Sequence, residues 1–246
     1  MQATGAAPSR EATKTAQEVR QALAGRGSAA IAASSQRFFK ERVKAHGWKT
    51  ATLRGFAHEW RRKLTKEGGI SFVVEVADQL FRPGFNEEKN FAIFLLEQSP
   101  AKLSEAEFRL FEDWLDRVEN WSDHDGLTMY LLGPMMAAKP QRANRVRQWS
   151  RSSNIWKRRA AAVTLIRGLR RGLFWREAQQ VARVLLSDED LMVQKGLGWM
   201  LREAAKNNAS QAIPFLISIR EKASRLVVRT ACETLSLSQR SRVLSS

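Results

Sequence analysis

The chain has one cysteine, Cys232, in 246 residues. A disulfide within the chain is therefore excluded, and a cysteine-based zinc site is not credible. One thiol fits a reducing cytosol, which is the expected location. His124 has no second histidine or cysteine at ligand spacing. Ser/His/Asp and Cys/His catalysis therefore find no supporting arrangement. There is no glycine-rich phosphate loop and no Walker pattern. No apolar run reaches the roughly 18 residues a membrane span requires. Met1 to Lys14 lacks the apolar stretch of a secretory signal, and its Ala/Thr/Ser-rich, acid-poor composition reads as a disordered lead rather than a transit peptide. The last absence is local: between Lys139 and Arg171 there is no aspartate or glutamate.

What fills that stretch is eleven lysines and arginines, in a chain of net charge +16 and pI about 10.8. Arg142, Arg145, Arg147 and Arg151 belong to one expected helix or its end; Lys157, Arg158 and Arg159 open the next, and Arg167, Arg170 and Arg171 close it. A solvated helical face is the usual fate of such a run. Here no acid is within reach for i,i+4 pairing, and the sign asymmetry favours phosphate binding. Contacts of that kind position a protein on nucleic acid without reading sequence. An anionic membrane surface is the competing polyanion.

Apolar residues recur at helical spacing almost throughout. Phe91, Phe94 and Leu95 make one face, Phe108, Phe111, Leu115 and Val118 another, and Val163, Ile166 and Leu169 a third. The run Ile70–Val76 has strand-like content but reads as helix, because Ala77 to Leu80 continues its pattern after the Gly68-Gly69 break. Glycine, proline and serine breaks divide the chain into about a dozen helices of roughly 10–18 residues. Ser104 with Glu107 forms a capping pair, and Asn154 caps the helix that carries Trp156. Trp121, Trp156 and Trp199 recur at intervals of 35 and 43 residues, an interval suited to HEAT-type helical pairs. The expected fold is all-α: a curved α-solenoid of antiparallel helix pairs, with a compact bundle as the alternative. Residues 1–27 form an N-terminal segment, helical from Ala12 to Leu23 or else disordered, and residues 28–240 form the HEAT-like domain.

Trp121-Ser122-Asp123-His124-Asp125 places an indole beside two carboxylates. On a helix beginning near Ser122, positions 121 and 125 share a face. Ser122 or Asp123 is the expected N-cap. Asp125, one turn in, lies near the positive end of the helix dipole, which favours its ionised form. His124 reads as a surface or supporting residue. Indole faces with one fixed carboxylate would hold a cation.

These residues carry a resemblance. Trp121–Asp125, Ser153–Ala161 and Val193–Glu203, with a weaker match from Arg37-Phe38-Phe39-Lys40 through Gly47, resemble the DNA alkylation repair family, the AlkD-like alkylpurine DNA glycosylases built from HEAT-like repeats. Coverage runs from about residue 30 to 238. The resemblance implies removal of N3- and N7-alkylated purines from duplex DNA by hydrolysis of the N-glycosidic bond, without flipping the lesion into a pocket. It also implies that the duplex lies in a concave basic groove. It assigns catalysis to Asp125, with Trp121 facing the deoxyribose and Trp199 as the second indole. Arg159 then holds the backbone, and Lys157, Arg158, Lys195 and Arg225 are further DNA contacts. Phe38 stands where the family has a tyrosine, so the ring is kept and the hydroxyl lost. No metal or organic cofactor is implied. The expected partner is double-stranded DNA containing alkylated purines, not a membrane, and the expected state is a monomer.

Two other classes fit the same composition. One is a non-catalytic HEAT module that binds nucleic acid; the other is a solenoid that scaffolds proteins. Only the first of these explains the acid-free strip.

Overall fold

A computed structural model describes residues 9–245; of the disordered lead expected over Met1–Lys14, residues 1–8 lie outside the described residues, and Arg10–Lys14 are instead the start of a helix. Among the described residues there is no strand. The helices are α1 (Arg10–Gly25), α2 (Ala29–Ser35), α3 (Thr50–Leu80), α4 (Asn86–Leu96), α5 (Glu105–Trp114), α6 (Trp121–Leu127) and α7 (Gly133–Ala138). There follow α8 (Val146–Trp149), α9 (Ile155–Val163), α10 (Ile166–Leu169), α11 (Trp175–Leu185), α12 (Leu191–Asn207), α13 (Ala209–Ile219), α14 (Arg225–Ala231) and α15 (Leu237–Leu244). The all-α expectation holds, and α1 covers the helix anticipated over Ala12–Leu23.

Helix lengths depart from the expected range. The break expected at Gly68-Gly69 is present: both glycines leave helical φ/ψ, with Gly69 at φ 69°, a conformation open to glycine and costly to other residues, and the 31-residue span is two helical stretches that meet there at a kink. Ile70–Val76 lies within α3, as its continuation into Leu80 anticipated. The capping pair forms: the Ser104 backbone N–H donates to Glu107 at 2.6 Å, and the Ser104 hydroxyl accepts from the Ala106 N–H at 3.1 Å. Asn154 Oδ1 accepts from the Trp156 N–H at 2.8 Å.

The chain divides into two compact units. The first comprises residues up to Glu107 together with Arg117–Gly126. Its core is α4 packed on α3, with α1 laid against α3 through Ala12, Ala16, Val19 and Leu23, all fully buried. Glu87 pins the segment leading into α3: its carboxylate accepts the backbone N–H groups of His46 and Gly47 at 2.9 Å and of Trp48 at 3.2 Å. Three donors on one buried carboxylate hold a loop that has no helix or sheet of its own.

The second unit comprises Phe108–Asp116 together with Leu127–Ser246. Its axis is α12, packed against α9 on one side and α14 on the other, with α11 and α13 also in contact. Two glycines of the Gly196-Leu197-Gly198 run make this possible. A methyl group at Gly196 would meet the Arg159 side chain at 3.0 Å, and one at Gly198 would meet Thr230 Cβ at 2.8 Å. Any larger residue at either position pushes a neighbouring helix away. α8 joins the unit through Glu112, whose carboxylate accepts from Trp149 Nε1 at 3.0 Å and Arg145 Nε at 2.7 Å.

Gly198→Ala should lower stability by about 1–3 kcal/mol, because a stiff Cβ and not a flexible tip stands in the way. Gly55→Ala is the control: it meets open space on α3 and should be neutral or stabilising by about 0.5–1 kcal/mol. Urea midpoints of the two variants and the parent check both.

Candidate functional site

The chemistry-bearing residues of the first unit gather at the start of α6. The cap of this helix is Asn120, not Ser122 or Asp123 as the sequence suggested. Asn120 Oδ1 accepts from the N–H of Ser122 at 2.8 Å and of Asp123 at 3.3 Å. Asp123 turns back from the third helical position and accepts from the Asn120 and Glu119 N–H groups, each at 3.1 Å. The pair is a reciprocal capping arrangement with an asparagine in the place usually taken by serine or threonine.

Asp123 is fully buried, and so is its partner Lys89. Lys89 Nζ lies 3.2 Å from Asp123, 2.6 Å from Glu119 and 2.6 Å from the Arg117 carbonyl oxygen. Burial pushes the Asp123 carboxyl above its ordinary value; Lys89 and the two amides oppose the rise without cancelling it. Nothing in the sequence marked Lys89. A lysine among Asn90, Phe91 and Ala92 reads as the polar edge of an amphipathic helix, and only the packing of α4 buries it.

That anchored turn presents Trp121 and Asp125, one turn apart. Trp121 is 37% exposed, and the Asp125 side chain is 23% exposed. The indole does not swing freely. Its N–H donates to the Phe38 carbonyl at 3.2 Å, and the Phe39 ring stacks on it with centroids 5.3 Å apart and planes 21° apart. The aromatic partner of Trp121 is therefore Phe39, a contact the sequence did not suggest. Phe38 itself is 60% exposed, with the Arg37 guanidinium 4.9 Å from its ring centroid.

His124 is a correction in part. It is not on the surface: it is fully buried, and its Nδ1 lies 2.7 Å from Asp125 Oδ1. A carboxylate oxygen only accepts, so Nδ1 carries the proton and the bond fixes the Asp125 rotamer. The supporting role anticipated for it stands on that contact.

In the second unit the basic strip is far from naked. Lys157 Nζ pairs with Asp116 at 2.6 Å, and Arg158 Nε with Asp188 at 2.6 Å. Arg145 pairs with Glu112 and Arg170 with Glu203. The acids absent from the strip come from helices and turns some 30 to 40 residues away, an arrangement that i,i+4 reasoning cannot see. Arg159 is 5% exposed, and its Nη1 donates to the Met192 carbonyl at 2.6 Å. Arg147, Arg167, Arg171, Lys195, Arg225 and Arg229 form no ion pair among the described residues.

Trp199 stands on α12, with its indole N–H donating to Glu203 Oε1 at 3.3 Å. Burial pushes the Glu203 carboxyl up, but Arg170, the Trp199 N–H and Arg202 outweigh it and leave the group below its usual value. The same carboxylate that steadies Trp199 thus favours its charged form.

No group of three or more potential metal ligands occurs among the described residues. No helix among the described residues is long and apolar enough to cross a membrane.

Charge and architecture together define a class, a helical protein whose expected partner is a polyanion. The sequence profile of the DNA alkylation repair enzyme family matches residues 19–235, and the chain belongs to that family. A solved structure from Enterococcus faecalis, described as a predicted DNA alkylation repair enzyme, is 17% identical. The two match with a TM-score of 0.76 over 86% of this chain and 97% of that one, a likeness of fold. No curated protein matches the chain.

Lys89→Met should cost about 3–5 kcal/mol, since it leaves Asp123 buried without its cation. Adding Asp123→Asn should return part of that loss, a non-additivity read from a double-mutant cycle in urea. Glu203→Gln should cost about 1 kcal/mol at neutral pH. Because the folded-state value is depressed, the carboxylate's contribution is complete above its ordinary value near 4.5 and is lost as pH falls below it. Melting temperatures of the parent and Glu203→Gln should therefore converge in acid and differ at pH 7.

Proposed function

We propose that the protein is a DNA glycosylase that hydrolyses the N-glycosidic bond of cationic N3- and N7-alkylated purines in duplex DNA, as a step of base excision repair. The observation that carries this reading is the start of α6: an exposed, pinned indole and a carboxylate one turn away whose rotamer is set by a buried histidine. Membership of the DNA alkylation repair enzyme family supports it.

The chemistry needs little more. An alkylated purine already carries positive charge, so the electrons of the breaking bond neutralise the base as it leaves. Positive charge moves to the sugar as an oxocarbenium ion. A carboxylate held at Asp125 binds that state more strongly than the ground state, and this difference is what accelerates the reaction. Asp125 also orients the water that adds to the sugar carbon and takes up its proton, leaving the free base and an abasic site. Trp121 covers the deoxyribose with a π-face that favours cations. His124 is a positioning residue: it touches Asp125 and not the DNA. No base flipping is invoked, because the leaving group needs no further activation.

In this reading Trp199 offers a second indole face, and Arg159, Lys195, Arg225 and the ring of Phe38 contact the DNA. Lys157 and Arg158, already paired with Asp116 and Asp188, contribute positive potential more than free hydrogen bonds. Residues 28–240 are the repair domain, acting as a monomer in the bacterial cytosol or nucleoid, without a metal or cofactor.

Release of 7-methylguanine and 3-methyladenine from methylated duplex DNA tests the reading. Asp125→Asn should lower the single-turnover rate by about 10²–10⁴ while leaving duplex affinity within a few-fold. Undiminished release by that variant would remove Asp125 from the mechanism. Tight, salt-dependent duplex binding without any base release by the parent would point instead to the non-catalytic module. His124→Leu should slow release, whereas His124→Asn, whose amide N–H can stand in for Nδ1, should retain most of the rate; stability alone does not predict that order.

A further inference from the structure

At the end of the second unit, α14, α15 and the turn after α13 enclose a cavity of about 370 Å³. Its rim holds Arg220, Arg225, Arg229 and Arg240, and its floor is aliphatic: Ala223, Val228, Val243 and Leu244. The one acid there, Glu221, points largely into solvent and lies 3.2 Å from Arg220. Arg220 is structural, since it also donates to the Val243 and Ser245 carbonyls and so ties α15 down. The other three arginines make no ion pair among the described residues.

Arg145, Arg158, Arg170 and Arg202 each reach an acid on another element, whereas Arg147, Arg167 and Arg171 do not among the described residues; what sets this rim apart is that its unpaired arginines converge on one cavity. Arg225 and Arg229 instead stand one turn apart on one face of α14, where like charges repel, and Arg240 on α15 adds a third cation to the same rim. Such an arrangement is tolerable in water and becomes favourable when an anion occupies it.

The floor decides what kind of anion. A duplex backbone offers phosphates and sugar edges, which have nothing to place on four aliphatic side chains. No aromatic ring lines the cavity, so a stacked nucleobase is not accommodated either. The volume suits one or two apolar side chains. We propose that this cavity is a docking site for an acidic peptide segment of a partner protein, which seats an apolar side chain on Val228 and Leu244 while its carboxylates meet Arg225, Arg229 and Arg240. The site goes beyond the glycosylase reading and does not depend on it; the two share only Arg225.

The test uses the full chain and a fluorescein-labelled peptide of eight aspartates around a central leucine–phenylalanine pair, followed by fluorescence anisotropy at about 100 mM salt. A control peptide replaces the apolar pair with two serines. Saturable binding of the first peptide, at least about tenfold tighter than the control, is expected. Arg229→Glu/Arg240→Glu should weaken it by a further factor of about ten or more, with base release from methylated DNA unchanged. Should that double variant melt early, Arg229→Gln/Arg240→Gln gives the same comparison with less repulsion. Equal affinity for both peptides would overturn the proposal, because a bare polycation does not read the apolar pair. So would peptide binding untouched by the substitutions, or a double variant that loses duplex affinity while neither peptide binds, which would make the rim a phosphate track. Peptide affinity is read without any base release, so a failed glycosylase assay leaves this result standing.

Discussion

A fully buried lysine facing a fully buried aspartate governs the first unit. Lys89 and Asp123 are both out of water, and each carries a charge that burial penalises heavily unless it is paired and hydrogen-bonded. The pair satisfies that demand with the Glu119 carboxylate, the Arg117 carbonyl and two backbone amides. Those same amides belong to the turn that starts α6. The charge pair therefore does more than tie α4 to the segment after residue 117: it sets where α6 begins. Trp121 and Asp125 take their places from that point, the first through Phe38 and Phe39, the second through His124. In the proposed reaction a carboxylate that stabilises a developing cation must already be oriented when the charge appears, and the network would supply that orientation without solvent reorganisation.

The second unit solves a different problem, the packing of three helices, α9, α12 and α14, close enough to share side chains. Gly196 and Gly198 remove the atoms that would hold them apart. The approach at Gly196 brings α12 onto the Arg159 side chain, so a DNA-contacting residue of the proposed site is also part of the interior packing. Ion pairs between distant segments then neutralise much of the basic strip. Lys157 with Asp116 and Arg158 with Asp188 are partly exposed, and such pairs contribute modestly to stability. Their larger effect is to select which cations stay available. Arg147, Arg167, Arg171, Lys195 and Arg225 remain without an ion-pair partner among the described residues, and on the proposed reading it is these, rather than the whole strip, that would meet phosphates.

The legible part of this protein was local. Helical periodicity, the Ser104 and Asn154 caps, the break at Gly68-Gly69 and the helix through Ile70–Val76 are all consequences of residues within a few positions of one another. The tryptophan–aspartate pair on α6 was legible for the same reason: a spacing of four puts two side chains on one face of any helix. The cap of α6 was misread because Asn120, Ser122 and Asp123 are all competent caps, and the choice among them depends on Lys89, over thirty residues earlier. The stacking of Phe39 on Trp121 was not legible, because the two residues are over eighty positions apart and meet only in the folded unit.

Sequence alone determined the helical class, the strong positive charge and the family, because periodicity, composition and motif order are properties of the chain as written. Tertiary structure decided which charges are paired, which aromatic ring backs Trp121, and that His124 lies buried beneath Asp125. Each of these depends on groups brought together by burial. Only there does the cost of an unpaired charge or an unsatisfied donor become large enough to select one partner over another.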